Sequence, residues 1–265
     1  MFDWLSYEFM RTALVAVVLL VPLTALLGTL VVNNRMSFFS DALGHSALTG
    51  VAIGVVAGVS DYRWILVVFG VVFALFMNRI RRSRISSTDT VIGVFSSVGV
   101  ALGLALLSAG GNLSNYQSLL VGDILSITRE ELWVLGVALA VTVALWVCCF
   151  NGFFAVSVSP SVAKSKGFHT ALFDNLFVVL VAVVVMLAIR WVGLLLINAM
   201  LILPAASARN VARSMRSYHL LSVVFGLFAG VLGLAVSYYN GIATGPAIIL
   251  VLAAVFFGTF LLRKK

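Results

Sequence analysis

Apolar segments long enough to cross a bilayer follow one another along almost the whole chain, separated by short polar connections. A spanning helix needs about 20 such residues. By that measure the runs fall near 11–32, 38–59, 64–78, 89–108, 132–150, 172–189, 192–208, 219–238 and 246–262. Lipid offers an open backbone no partner, so segments of this length must fold as helices. The expected fold is all-α, a polytopic membrane protein of eight or nine transmembrane helices, with 1–265 forming a single transmembrane domain. The uncertainty of one lies in the 172–208 pair, tightly joined around Arg190, and in the short 64–78 run. Composition agrees: 62% of residues are hydrophobic and 10% charged, against roughly half and a quarter in soluble domains.

The net charge of +8 would suit a nucleic-acid partner, but the basic residues are sorted by membrane side. Arg35, Arg79, Arg81, Arg82, Arg84, Lys164, Lys166, Arg209, Arg213, Arg216, Arg263, Lys264 and Lys265 fall in connections on one side, leaving Arg11, Arg63, Arg129 and Arg190 for the other; that is 13 of 17. Cytoplasmic loops carry such an excess, so the N-terminus is expected outside and the C-terminus in the cytoplasm. The first 30 residues carry Asp3 and Glu8 rather than a basic n-region, and are read as a retained first span rather than a cleaved signal. Cys148 and Cys149 are sequence neighbours, a poor arrangement for a disulfide and too few thiols for a structural zinc site. Packing is their expected role.

Two connections have structure of their own. "YQSLLVGDILSI", Tyr116 to Ile127, is too short to cross and must stay outside for the charges to agree; an interfacial or re-entrant helix fits it. "SVSPSVAKSKGFHTALFD" is the longest cytoplasmic connection, in which Ser161 to Lys166 form one or two helical turns closed by Gly167.

The chemistry-bearing feature is "MSFFSDALGHSALTGVAIG", Met36 to Gly54, which sets Asp41 and His45 inside a spanning segment. At i and i+4 they share a helix face, and Thr49 is expected to continue it. Gly50, Gly54 and Gly58 form a small-xxx-small stripe, about 100° or more around the helix, that would seat a second helix closely. An acid in the bilayer costs at least about 2.5 kcal/mol, so it faces a partner, a cavity or a bound ion. Carboxylate plus neutral imidazole, with donors from other helices, holds a divalent transition metal. The alternative is an internal Asp–His pair that locks helix packing.

Other polar residues divide the same way. Asp89 opens the fourth span, where it complements the helix dipole or offers a carboxylate to an exiting ion. Asp123 lies in the outer segment, either lining an entrance or solvated. Asn198, mid-span, is expected to hydrogen-bond between helices rather than ligate metal. His169 and His219 flank cytoplasmic loops and are expected to be solvated, and Asp174 to pair with Lys164 or Lys166.

"SDALGHSALTGVAIG" resembles the second-helix signature of the permease subunits of zinc and manganese ABC importers, the ABC-3 family. "TDTVIGVFSSVGVALGL", "LLVGDILSIT", "LLLINAMLILPAASARNVARS" and "TGPAIILVLAAVFF" resemble further family blocks, in family order. The resemblance implies a type II-like importer permease in the cytoplasmic membrane of a prokaryote. It implies a homodimer around one pathway, two cytoplasmic ATPase subunits and an extracytoplasmic metal-binding protein. It assigns Asp41 and His45 as metal contacts; Thr49, Asp89, Asp123 and Asn198 are further candidates along the pathway on the reading of the residues themselves. The loop from Ser159 through Pro160, Ala163 and Lys164 to Gly167 matches the coupling helix that meets the ATPase. Many members carry an acid at its start, where this chain has Ser159; many zinc-type members carry a second histidine where it has Ser96 and Ser97.

The chain contains neither G-x-x-x-x-G-K-[ST] nor H-E-x-x-H, so phosphate-loop ATP hydrolysis and zinc proteolysis have no residues to rest on. It is expected not to be an enzyme, with ATP hydrolysed on a separate subunit. No permanently bound cofactor is expected, only the transported ion. Zinc is favoured over manganese because affinity at mixed nitrogen and oxygen sites runs that way. The alternatives are a secondary divalent-cation transporter uncoupled from ATP, and a scaffold with no substrate.

Overall fold

A computed structural model of the protein describes residues 3–59, 63–83, 85–109 and 122–263. Arg84, Lys264, Lys265 and 116–121 of the outer segment lie outside them. The long elements are α1 (Glu8–Asn33), α2 (Phe39–Val56), α3 (Arg63–Arg82), α4 (Thr88–Ala109), α5 (Arg129–Val158), the short α6 (Pro160–Ser165), α7 (Thr170–Val211), α8 (Met215–Asn240) and α9 (Thr244–Leu261). Single 3-10 turns occupy Asp3–Ser6 and Ile124–Ser126. Among the described residues there is no strand, and eight helices are long and apolar enough to cross a membrane.

The count of eight or nine resolves at α7. Its 42 residues would extend about 63 Å at 1.5 Å per residue, roughly twice the hydrocarbon thickness. Gly193 breaks the helical path with φ 78° and ψ 164°, leaving segments 170–192 and 194–211, each of crossing length. These correspond to the runs expected at 172–189 and 192–208. Several other helices outrun their apolar cores: α3 continues to Arg82, where Arg79, Arg81 and Arg82 meet the negative end of the helix dipole.

The chain forms two compact units. One comprises Met1–Val32, Val121–Cys148 and Arg190–Lys265, the other Asn33–Leu120 and Cys149–Ile189. The backbone passes between them four times, so neither is a separable segment.

In the first unit, Val17 and Val21 of α1 meet α8, and α8 packs on α9. Ala205, Ala208 and Tyr218 are buried together, flanked by Val32 and Phe225. Gly122, at φ 61°, comes so close to Gly193 that an added Cβ would lie 2.1 Å from the Gly193 nitrogen. Two glycines with positive φ thus seat the turn at Gly122 and Asp123 against the break in α7, a conformation and an approach that side chains would prevent.

In the second unit α2 packs on both α3 and α4. Phe73 meets Phe95 edge-on across the α3–α4 seam, centroids 5.3 Å apart. Phe153 and Phe168 meet Phe173 the same way, fixing the end of α5, the exit from α6 and the start of α7.

Candidate functional site

Asp41 lies in the first turn of α2, where backbone dipoles favour a negative charge. One turn on, His45 Nε2 stands 3.5 Å from Asp41 Oδ2, within ion-pair range and longer than a good hydrogen bond. Their side chains keep 42% and 36% of their surface exposed, while Ala42, Leu43, Gly44, Ser46 and Ala47 are buried. The expected pair therefore forms and opens outward. Phe38 and Val56, 63% and 69% exposed, occupy nearly the same face, since steps of 7 and 11 residues each return to within about 20°.

Thr49 does not continue this face. It is 4% exposed, and its hydroxyl donates to the Gly99 carbonyl of α4. The glycine contacts also differ from expectation. Gly50 does seat a helix, against Leu66 and Phe69 of α3, but Gly58 lies beyond the end of α2 in open space. The closest backbone approach comes instead from α4, where a Cβ on Gly103 would lie 2.7 Å from Thr49 N. The spacing Gly99-x-x-x-Gly103 was the available signal.

Asp89 is exposed in the first turn of α4, a dipole-complementing position. Asp123 is exposed in the first unit, where its carboxylate accepts from Leu125 N at 2.9 Å and caps the 3-10 turn. It also lines a cavity of about 280 Å³ with Gly122, Val192 and Thr244. Asn198, partly buried, sits in the second segment of α7. The second unit thus gathers Asp41, His45, Thr49, Asp89 and the Ser159–Gly167 loop; Asp123 and Asn198 belong to the first. Among the described residues no three His, Cys, Asp or Glu side chains cluster for a metal. Asp41 and His45 offer two donors where zinc takes four and manganese commonly more.

The Ser159–Gly167 loop is a capped helix. Ser159 Oγ accepts from Val162 N at 3.4 Å, Pro160 occupies the first turn, where no amide donor is needed, and Gly167 closes the far end at φ 82°. Ala163 is fully buried and anchors α6, while Ser161, Val162 and Lys164 are exposed. Beside it lies a cavity of about 380 Å³, lined in part by Arg81, Arg82, Lys164 and Asp174.

Asp174 pairs with neither lysine. Both its oxygens accept from Arg81 Nη2, at 2.6 and 2.8 Å, and Arg82 stands 3.9 Å away. Arg81 also donates to Asn78 Oδ1, and Asn78 to Asn175. The guanidinium serves two acceptors at once, which an ammonium on a flexible stem does less well.

His169 is exposed as expected, but His219 is not solvated. Its Nδ1 lies 2.9 Å from Thr29 Oγ1, its ring packs edge-on to Trp146, and Tyr218 stacks beside it. Because the Thr29 hydroxyl donates to the Leu26 carbonyl at 2.6 Å, it accepts from His219, placing a hydrogen on Nδ1.

The description of the ABC 3 transport family matches residues 6–263. The chain belongs to the ABC 3 transport family. Family relatives are similar over almost their full length. "Manganese import system permease protein ScaB" of Streptococcus parasanguinis is 32% identical, with 98% of this chain and 92% of that protein covered. "High-affinity zinc uptake system membrane protein ZnuB" of Haemophilus influenzae is 28% identical, covering 98% and 99%. In the solved structure of "PsaBC from Streptococcus pneumoniae in complex with Fab", one chain superposes with a TM-score of 0.83 at 31% identity, covering 96% of this chain and 91% of that one. The fold is therefore shared with that protein over nearly the whole chain.

Proposed function

We propose that this protein is the permease subunit of an ABC importer that carries a divalent transition metal, zinc or manganese, across the cytoplasmic membrane, with 1–265 acting as one permease domain. The observation that carries the reading is the Asp41–His45 pair, two metal donors on the open face of α2 in a chain of the ABC 3 family. Relatives named for manganese and for zinc support both ions, and a mixed carboxylate and imidazole set suits both, with zinc ahead on intrinsic affinity. Family membership displaces the gradient-driven alternative.

Two donors from one chain leave the coordination shell incomplete. A second copy related by a twofold axis would contribute the same Asp and His, making four ligands. The exposed apolar residues Phe38 and Val56 give such a copy a surface on either side of the pair. On the cytoplasmic side α6 is the contact for the ATPase subunit, held from beneath by Ala163 and offering Ser161, Val162 and Lys164. An extracytoplasmic binding protein delivers the metal, and the charge distribution sets the N-terminus outside and the C-terminus inside. ATP-driven closure of the partner subunits, passed through α6, then switches which side of the pathway is open.

The test is uptake of zinc and of manganese by cells expressing this chain with its ATPase and binding protein. Asp41→Ala and His45→Ala are expected to abolish uptake of the cognate metal while membrane levels stay at wild type. Normal uptake by both variants would refute the site.

A further inference from the structure

We propose that Thr49 is a positioning residue for the metal pair: its hydroxyl, bonded to the Gly99 carbonyl of α4, fixes the rotation of α2 that presents Asp41 and His45 outward. The inference rests on the reading of that pair as metal ligands, and adds a residue that touches no ion.

Hydroxyls in a helix usually donate to a carbonyl three or four residues back in the same helix. Thr24 donates to Leu20, Ser46 to Leu43 and Ser207 to Leu203 in that way. Thr49 instead reaches across to α4, although its own helix offers the ordinary acceptor. Its place is decisive for the pair, because it follows His45 by four residues and so lies about 40° around the helix from it. A turn of α2 by that amount would swing His45 to the buried azimuth that Thr49 holds and bring Asp41 to the place of His45, so that only one donor would stay on the open face.

The surroundings leave rotation as the main freedom to be controlled. On the α4 side, a Cβ on Gly103 would lie 2.7 Å from Thr49 N and 2.9 Å from Leu48 C, and one on Gly99 would lie 2.9 Å from Ser46 Cβ. On the α3 side, Leu66 and Phe69 come within 3.0 Å of where a Gly50 side chain would begin. Backbone contact at this range blocks sideways drift, yet a smooth glycine surface resists twisting poorly. The pairings 46 with 99 and 49 with 103 also show α2 and α4 running parallel, so one cross-link near mid-helix fixes both positions of the pair together. The Thr49 bond supplies the directional contact that glycines lack.

The experiment measures uptake against metal concentration, for manganese and zinc separately, in cells carrying the whole importer, with membrane levels of each variant quantified. Thr49→Val keeps the shape and removes the donor; it is expected to raise the half-saturating metal concentration by about three- to tenfold, the range that one interhelical hydrogen bond supports. Thr49→Ser restores the donor and is expected to return the curve to within about twofold of wild type. Rescue by serine is a result that loss of packing alone would not give. Gly103→Ala presses on the same seam from α4 and is expected to shift the curve in the same direction. A wild-type curve from either Thr49→Val or Gly103→Ala, whichever accumulates, while Asp41→Ala abolishes uptake, overturns the positioning role and leaves the metal site standing. Normal uptake by Asp41→Ala overturns the metal site and this inference with it.

Discussion

At the scale of single residues, Asp41 and His45 show how a costly pair is accommodated. Asp41 sits in the first turn of α2, where the helix dipole offsets part of the cost of its charge, and His45 is near enough to share its field. Imidazole binds metal only when neutral, so protons compete with the ion. Metal affinity of the assembled importer is expected to fall on acidification, because a proton and the ion compete for the same imidazole nitrogen. Titration calorimetry at several pH values checks this, and a pH-independent affinity would exclude His45 as a ligand. The Arg81–Asp174 pair makes a separate prediction. Both side chains are about 15% exposed, so Asp174→Asn strands a buried guanidinium and is expected to lower stability by about 3 kcal/mol, seen as a lower melting temperature in detergent. Replacing both partners with apolar residues, Arg81→Met with Asp174→Leu, is expected to recover most of that loss. The i, i+4 spacing of Asp41 and His45 was plain in the sequence. The partner of Asp174 was not, because Arg81 lies 93 positions away and only folding decides which cation arrives.

At the scale of elements, the helices follow from apolar length and the seams between them from small residues. The sequence pointed to the glycines of α2, whereas the backbone contact is made by Gly99 and Gly103 of α4. Both stripes obey the same spacing rule, so periodicity alone had no means of ranking them. The short α6 was legible because its ends are punctuated, Ser159–Pro160 at one and Gly167 at the other. Its anchoring was not, since a lone alanine reveals nothing of burial. Ala163 is fully enclosed, so Ala163→Leu has no room and is expected to cost about 1–3 kcal/mol locally, displacing α6. The consequence to measure is loss of ATPase copurification with a permease that still reaches the membrane. A complex that stays intact would show that α6 is not the main contact. His219 illustrates the same limit: near a loop in sequence, it is held in the fold by Thr29 and flanked by Trp146 and Tyr218.

At the scale of the whole molecule, the proposed metal site, with two donors per chain, would be completed by a second copy facing the first across α2. With Cys148 and Cys149 replaced by Ser, Phe38→Cys and Val56→Cys are each placed on the face of the pair, and at least one is expected to give a disulfide-linked dimer on mild oxidation in membranes. Monomer from both would place the open face of α2 elsewhere than at the twofold axis. Apolar length fixed the helical class and nearly all the crossings, because lipid leaves a chain no other way to satisfy its backbone. Charge asymmetry supplied the orientation now proposed, and local spacing supplied the Asp41–His45 pair, since each is a one-dimensional property. Tertiary structure alone decided the interleaving of two units from distant segments, the break at Gly193 against Gly122, the partner of Asp174 and the turning of Thr49 away from the open face. Those depend on which surfaces meet, and contacts between residues tens of positions apart are set by packing and hydrogen-bond geometry that no local pattern encodes.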